Sequence, residues 1–104
     1  MKRVGVLLKR IGVAWVTYQE FYFPGIARST QREYRCYTKR ALAELPPMVT
    51  LESLLRWRSS QLVGMHGYPP GYCNQHFAAL RTVTSRAALS TGDHELAAFL
   101  RRER

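Results

Sequence analysis

Apolar positions recur at steps of three and four through most of the chain, the spacing that places side chains on one face of a helix. The N-terminus departs from this. Val4-Gly5-Val6-Leu7-Leu8 is a short apolar run that Lys9 and Arg10 interrupt, and residues 1–16 read as an arm or short strand ahead of the helices. Thr17-Tyr18-Gln19-Glu20 has the form of a capping box, in which hydroxyl and carboxylate satisfy free amide donors at a helix start. It predicts a short helix that Pro24-Gly25 ends, with Tyr18, Phe21, Tyr22 and Phe23 as core.

Ser29 or Thr30 then caps a second helix, with Glu33 placed to answer Thr30. Tyr34, Tyr37, Ala41 and Leu45 form its inner face, and Pro46-Pro47 stops it. Thr50 caps a third helix whose Leu51, Leu54, Leu55 and Leu62 share a face, and Gly64 is a suitable stop. Gly64–Gly71 is the one long loop, rich in residues that set turns. A fourth helix is predicted from about Tyr72 to Leu89 with Phe77, Leu80, Thr84 and Ala87 or Ala88 inward. Asp93 caps a last one through Leu96, Phe99 and Leu100, ahead of the tail Arg101-Arg102-Glu103-Arg104. The fold class predicted is all-α, a compact orthogonal bundle of four to five helices, with residues 17–104 as a single helical domain.

At 104 residues, the chain is the size of one domain, and 46% hydrophobic content with 12% aromatic is enough for a core. Charge changes the picture more. Sixteen Lys and Arg against seven Asp and Glu leave a formal +9 at pH 7, a balance that attracts polyanions. Thirteen of the sixteen are Arg, whose planar fork suits phosphate oxygens and guanine edges.

Candidate chemistry is sparse. Two cysteines, Cys36 and Cys73, are too few for a disulfide framework or a four-Cys zinc site and fit a reduced, cytoplasmic setting. Cys73 and His76 form a C-x-x-H pair without a second close pair to complete a metal site, so neither metal nor cofactor is expected. Several of the few carboxylates fall at helix starts, where capping accounts for them. No glycine-rich phosphate loop is present, and the apolar run near the N-terminus is too short for a signal peptide or a spanning helix.

The basic residues are more informative. Arg28, Arg32, Arg35 and Lys39 step by four, three and four along the second helix, which puts them on one stripe away from Tyr34, Tyr37 and Ala41. The fourth helix carries Asn74, Gln75, Arg81 and Arg86 outside its apolar face. Asn, Gln and Arg can make bidentate contacts with bases in the major groove, and a clustered basic face is the footprint of a nucleic-acid binder.

The order of segments carries a resemblance. Ser29-Thr30-Gln31-Arg32-Glu33-Tyr34, then Leu42 and Leu45, then Thr50-Leu51-Glu52-Ser53-Leu54 with Arg56-Trp57-Arg58 behind it, then Asn74-Gln75-His76-Phe77-Ala78-Ala79-Leu80-Arg81 resembles the N-terminal core-binding, SAM-like domain of phage integrases, the tyrosine recombinases. The resemblance covers about residues 16–90 and lies in the order and spacing of the motifs. It implies a four- or five-helix domain that holds one side of duplex DNA while a separate C-terminal domain cuts and rejoins strands. Carried over, Thr30, Arg32, Arg35 and Lys39 on the second helix and Asn74, Gln75 and Arg81 on the fourth face DNA. The family's catalytic domain supplies a nucleophilic Tyr and a His-x-x-Arg, and none of His66, His76 and His94 is followed by Arg at that spacing. The expectation is therefore a non-enzymatic DNA-binding module, either a fragment of a longer recombinase or a stand-alone relative. Its expected partners are duplex DNA, a catalytic domain and other recombinase protomers, with no membrane partner. Two alternatives are a small phage- or plasmid-type adaptor that binds protein through exposed Trp57, Tyr68 and Tyr72, and a basic RNA-binding protein.

Overall fold

The structure is a computed structural model that describes residues 5–101. Lys2, Arg3 and Val4 of the N-terminal run and Arg102-Glu103-Arg104 of the tail lie outside the described residues, as do the side chains of Leu100 and Arg101. The elements in chain order are β1 (Val6–Leu7), α1 (Leu8–Phe21), a 3-10 turn (Phe23–Gly25), α2 (Arg28–Glu44) and β2 (Met48–Val49). Then follow α3 (Leu51–Arg56), which continues as a π-helix (Trp57–Met65), α4 (Pro70–Ser90) and α5 (His94–Arg101). This is an all-α bundle, and its Cα radius of gyration of 13.1 Å is that of one domain of about 100 residues.

The N-terminal expectation needs correction. Only Val6–Leu7 is strand, and the helix begins at Leu8, well before Thr17. Ile11, Ala14, Trp15 and Tyr18 form one continuous buried face at steps of three and four. The basic pair that breaks the apolar run breaks no helix, because Lys9 points outward and Arg10 is held by Asp93 and Glu95 at the start of α5. Thr17 and Glu20 therefore sit inside a helix and cap nothing. Phe21 is exposed at the end of α1, while Tyr18 and Phe23 are buried.

β1 pairs antiparallel with β2, Val6 opposite Val49 and Leu7 opposite Met48, and the Leu8 amide donates to the Pro47 carbonyl at 2.7 Å. This two-residue ladder fastens the start of the chain to the link between α2 and α3. Gly5 fits there because a Cβ would stand 3.0 Å from the Met48 sulfur and 3.3 Å from the Val49 carbonyl oxygen.

Other helix boundaries shift for local reasons. Ala27, not Ser29 or Thr30, precedes α2, and no side chain caps it. Gln31 instead donates to the carbonyls of Phe23 and Ile26, tying the 3-10 turn to the first turn of α2. Thr50 does cap α3: its hydroxyl accepts from the Ser53 amide while the Ser53 hydroxyl accepts from the Thr50 amide. α4 opens two residues earlier than expected, with Pro70 at its first position, where a missing N–H costs nothing.

The expected leucine face is kept only in part. The wider i to i+5 turns of the π-helix place Trp57 and Leu62, five apart, both in the core, while in α3 before it Leu54 is buried and Leu51 and Leu55 are exposed. The π-helix ends past Gly64 at Met65, and the turn is made by Gly67 at φ +67°. α4 is the central element, packed against α1, α2, α5 and the π-helix, with Leu80, Val83, Thr84, Ala87 and Ala88 buried along it.

Candidate nucleic-acid interface

Arg28, Arg32, Arg35 and Lys39 are all exposed on α2, on one stripe opposite its buried Tyr37 and Ala41. From the first to the last they span about 16 Å at about 1.5 Å per residue. Among the described residues none of the four forms an ion pair. The Arg35 guanidinium lies over the Phe23 ring, 5.5 Å from its centroid, which settles the middle of the stripe against the 3-10 turn that follows α1. Thr30 is half-buried and does not join the stripe: it precedes Tyr34 and Tyr37 by four and seven residues and so lies on the inner face of α2, against the expectation that it faces DNA.

The α4 set is separate. Asn74 and Gln75 are exposed near the start of α4, and Arg81 is half-buried two turns on. Their surroundings are not free solvent. The Asn74 Oδ1 accepts from Arg58 Nη2 at 3.3 Å, and the Gln75 Oε1 accepts from the Tyr37 hydroxyl at 3.0 Å. Tyr37 lies across α2 from the stripe, so α4 stands behind the Arg28–Lys39 face. The structure thus brings Asn74 and Gln75 together with Arg58 and Tyr37, and it does not bring them to the four cations of α2.

Between α2, the π-helix and α4 lies a ring cluster whose connections the sequence reading missed. His76 is fully buried, with its ring centroid 4.4 Å from that of Tyr37 and 4.8 Å from that of Tyr72. Its Nδ1 is 2.8 Å from the Tyr72 carbonyl oxygen and its Nε2 is 2.6 Å from Arg40 Nη1. A carbonyl only accepts and a guanidinium only donates, so His76 must carry its proton on Nδ1 and accept at Nε2 as a neutral ring. Burial, and then the neighbouring Arg40 charge, push its pKa down, which fits that tautomer although the Tyr72 bond acts the other way. Arg40 also lies over the Tyr68 ring at 5.1 Å.

Glu44 completes the cluster, accepting from Trp57 Nε1 at 2.8 Å and meeting His66 Nε2 at 2.8 Å. Burial alone would raise its pKa. The bonds from His66 and Trp57 and the charge of Arg40 outweigh that and hold it below the usual carboxylate range. Trp57 is therefore buried, and Tyr68 and Tyr72 are half-buried in ring contacts with His76, so the exposed aromatic patch expected for a protein adaptor does not form. The Cys73–His76 pair is likewise occupied: the buried Cys73 thiol points to the Tyr68 carbonyl at 3.7 Å, and both His76 nitrogens are engaged. Among the described residues no three His, Cys, Asp or Glu side chains are grouped so as to hold a metal ion, and no helix is long and apolar enough to cross a membrane.

Arg40 and Arg58 are the cations the sequence reading left out of its site. Arg40 could have been found, since it falls three residues past Tyr37 and therefore toward the aromatic side of α2. Arg58 packs 6.0 Å above the Phe77 ring, and nothing local in Arg56-Trp57-Arg58 announces its bond to Asn74. Comparison with protein-family models, with curated proteins and with solved structures returns no match to this chain.

Proposed function

We propose that this domain binds duplex DNA along α2, as the DNA-holding module of a phage-integrase type of site-specific recombinase, with strand cutting assigned to a separate catalytic domain. The observation that carries the reading is the row Arg28, Arg32, Arg35 and Lys39: exposed, aligned, and unpaired among the described residues. Cations held this way have no internal ion pair to give up when phosphates arrive, and only Arg35, over the Phe23 ring, has a cation–π partner among the described residues. The motif order that resembles the integrase core-binding domain supports duplex DNA over other polyanions.

The α4 residues take a secondary role. With their side-chain oxygens engaged by Arg58 and Tyr37, Asn74 and Gln75 keep their amide NH2 groups to donate, which suits a phosphate oxygen or a single base acceptor. Two-pronged reading of adenine would require those bonds to open.

Binding to a short duplex, measured across a salt series, tests the proposal. Neutralising three or four phosphates predicts a log–log slope of about −3 to −4. A flat slope, or no binding at low salt, overturns it. Structured RNA competing as well as duplex DNA would move the reading to RNA.

A further inference from the structure

The outward side of α1 carries a pattern that neither the core nor DNA binding accounts for. Lys9, Val13, Val16 and Glu20 are all exposed on one stripe, with Val13 62% and Val16 60% accessible. Among the described residues neither Lys9 nor Glu20 has an ion-pair partner. The order along the helix is cation, valine, valine, anion, with the same spacing read from either end. When such a helix is laid antiparallel on a copy of itself, Lys9 falls opposite Glu20, Val13 opposite Val16, and each pair occurs twice about the two-fold axis.

The flanks of the stripe agree with close approach by another helix. Gly12 stands in the middle of α1, where glycine costs about 1 kcal/mol relative to alanine. A Cβ there would meet only the Leu42 side chain, at an ordinary 4.0 Å, so packing inside the chain does not demand glycine. On that flank Leu7, Leu8, Gly12, Leu42 and Pro47 line an apolar groove, into which the side chains of an apposed helix could settle.

We infer that two copies of this chain associate through α1 as an antiparallel, two-fold symmetric helix pair, with Val13 and Val16 at its centre and Lys9–Glu20 ion pairs at both ends. The occupant is a second copy because the charges are complementary to their own reverse. A partner helix of uniform charge would meet one favourable and one unfavourable end. The pair does not depend on the DNA reading, since it uses a different helix.

Sedimentation of the full chain over a micromolar to submillimolar range tests it. The mass should rise from the 12.0 kDa monomer toward the dimer. Val16→Lys, a change at an exposed position, should abolish the rise, and Lys9→Glu should weaken dimerisation about ten-fold or more by setting like charges together at both ends. Combining Lys9→Glu with Glu20→Lys should return the affinity to within a few-fold of the original, because the pattern is restored in reverse. Circular dichroism of each variant should match the parent, as none of these side chains is in the core. A monomer throughout the range, a dimer indifferent to Val16→Lys, or a double reversal no better than Lys9→Glu alone would each overturn the inference. DNA binding by the Val16→Lys variant separates the two proposals, since failure of the helix pair leaves the α2 cations in place.

Discussion

On its outer side α2 holds Arg28, Arg32, Arg35 and Lys39 in solvent, whereas on its inner side Arg40 and Glu44 are locked among rings and histidines. The residue types overlap and the circumstances do not. An inner charge is held at fixed distances by groups that would be left unsatisfied without it, so its removal should be felt in folding. An outer charge has little internal work, and its removal should be felt in binding. Helix position, more than residue type, separates the enclosed arginine of α2 from its exposed ones.

The strongest way to break that contrast is at the inner side. Trp57→Ala removes a buried ring and orphans Glu44 Oε1, and it should cost about 3–5 kcal/mol in urea unfolding. A loss below about 1 kcal/mol would show that the cluster is not a core element. The outer counterpart is Arg28→Glu with Arg32→Glu, which leaves the Arg35–Phe23 contact in place. It should weaken duplex binding by about a hundred-fold, as two charge-assisted contacts of about 1.5 kcal/mol each are lost, and shift unfolding by about 0.5 kcal/mol or less. Comparable losses of stability from both variants would erase the distinction.

Acid sharpens the comparison further, because His76 and Glu44 on the inner side have displaced titration. His76 stays neutral when folded, while the unfolded chain takes up its proton near the ordinary value of 6.5. The unfolded state therefore binds more protons below that pH, and stability falls as the pH drops from about 6.5 toward the lower folded value. Glu44 acts in the same direction at lower pH: its contribution is present above its ordinary 4.5 and is lost as the pH falls through its lower folded value. Asp93, held down chiefly by Arg10, follows from its ordinary 3.8. The melting temperature should decline between about pH 7 and about pH 5, and the decline should flatten in His76→Leu, a variant already less stable at neutral pH. An equal decline in both would remove His76 from the account. The smallest effect is expected of Lys39→Ala at the end of the stripe: a salt slope shallower by about one and an unchanged melting temperature.

Legibility in the sequence followed how local each cause was. The Thr50 cap, the Pro46-Pro47 stop and the Asp93 start were readable because their partners lie within four residues, as in the bond from the Leu96 amide to Asp93. The α2 stripe was readable for the same reason, since one helix suffices to align it. Thr17-x-x-Glu20 misled because four residues of cap pattern also occur inside helices, and the Ile11–Trp15–Tyr18 face that overrides it begins before the motif. The π-helix gave no local sign, although it buries Trp57 and Leu62 at a spacing of five. The ring cluster was hidden by distance along the chain, with Arg40 and His76 separated by 36 positions and Glu44 and His66 by 22. Which way the α2 stripe faces relative to Asn74 and Gln75 depends on how α4 docks, and no single-helix pattern contains that.

Arg10 holds a further consequence. Its guanidinium joins the first turn of α1 to Asp93 and Glu95, which are separated from it by 83 and 85 positions. A chain made from its N-terminus exposes α1 to solvent for most of its synthesis, at about 5–20 residues per second. Until Asp93 and Glu95 emerge, Arg10 has no counter-charge and Ile11, Trp15 and Tyr18 lack part of their cover. The domain is therefore completed by its last helix, and a ribosome stalled short of Asp93 should display α1 open to protease, while one stalled after α5 has cleared the exit tunnel should protect it.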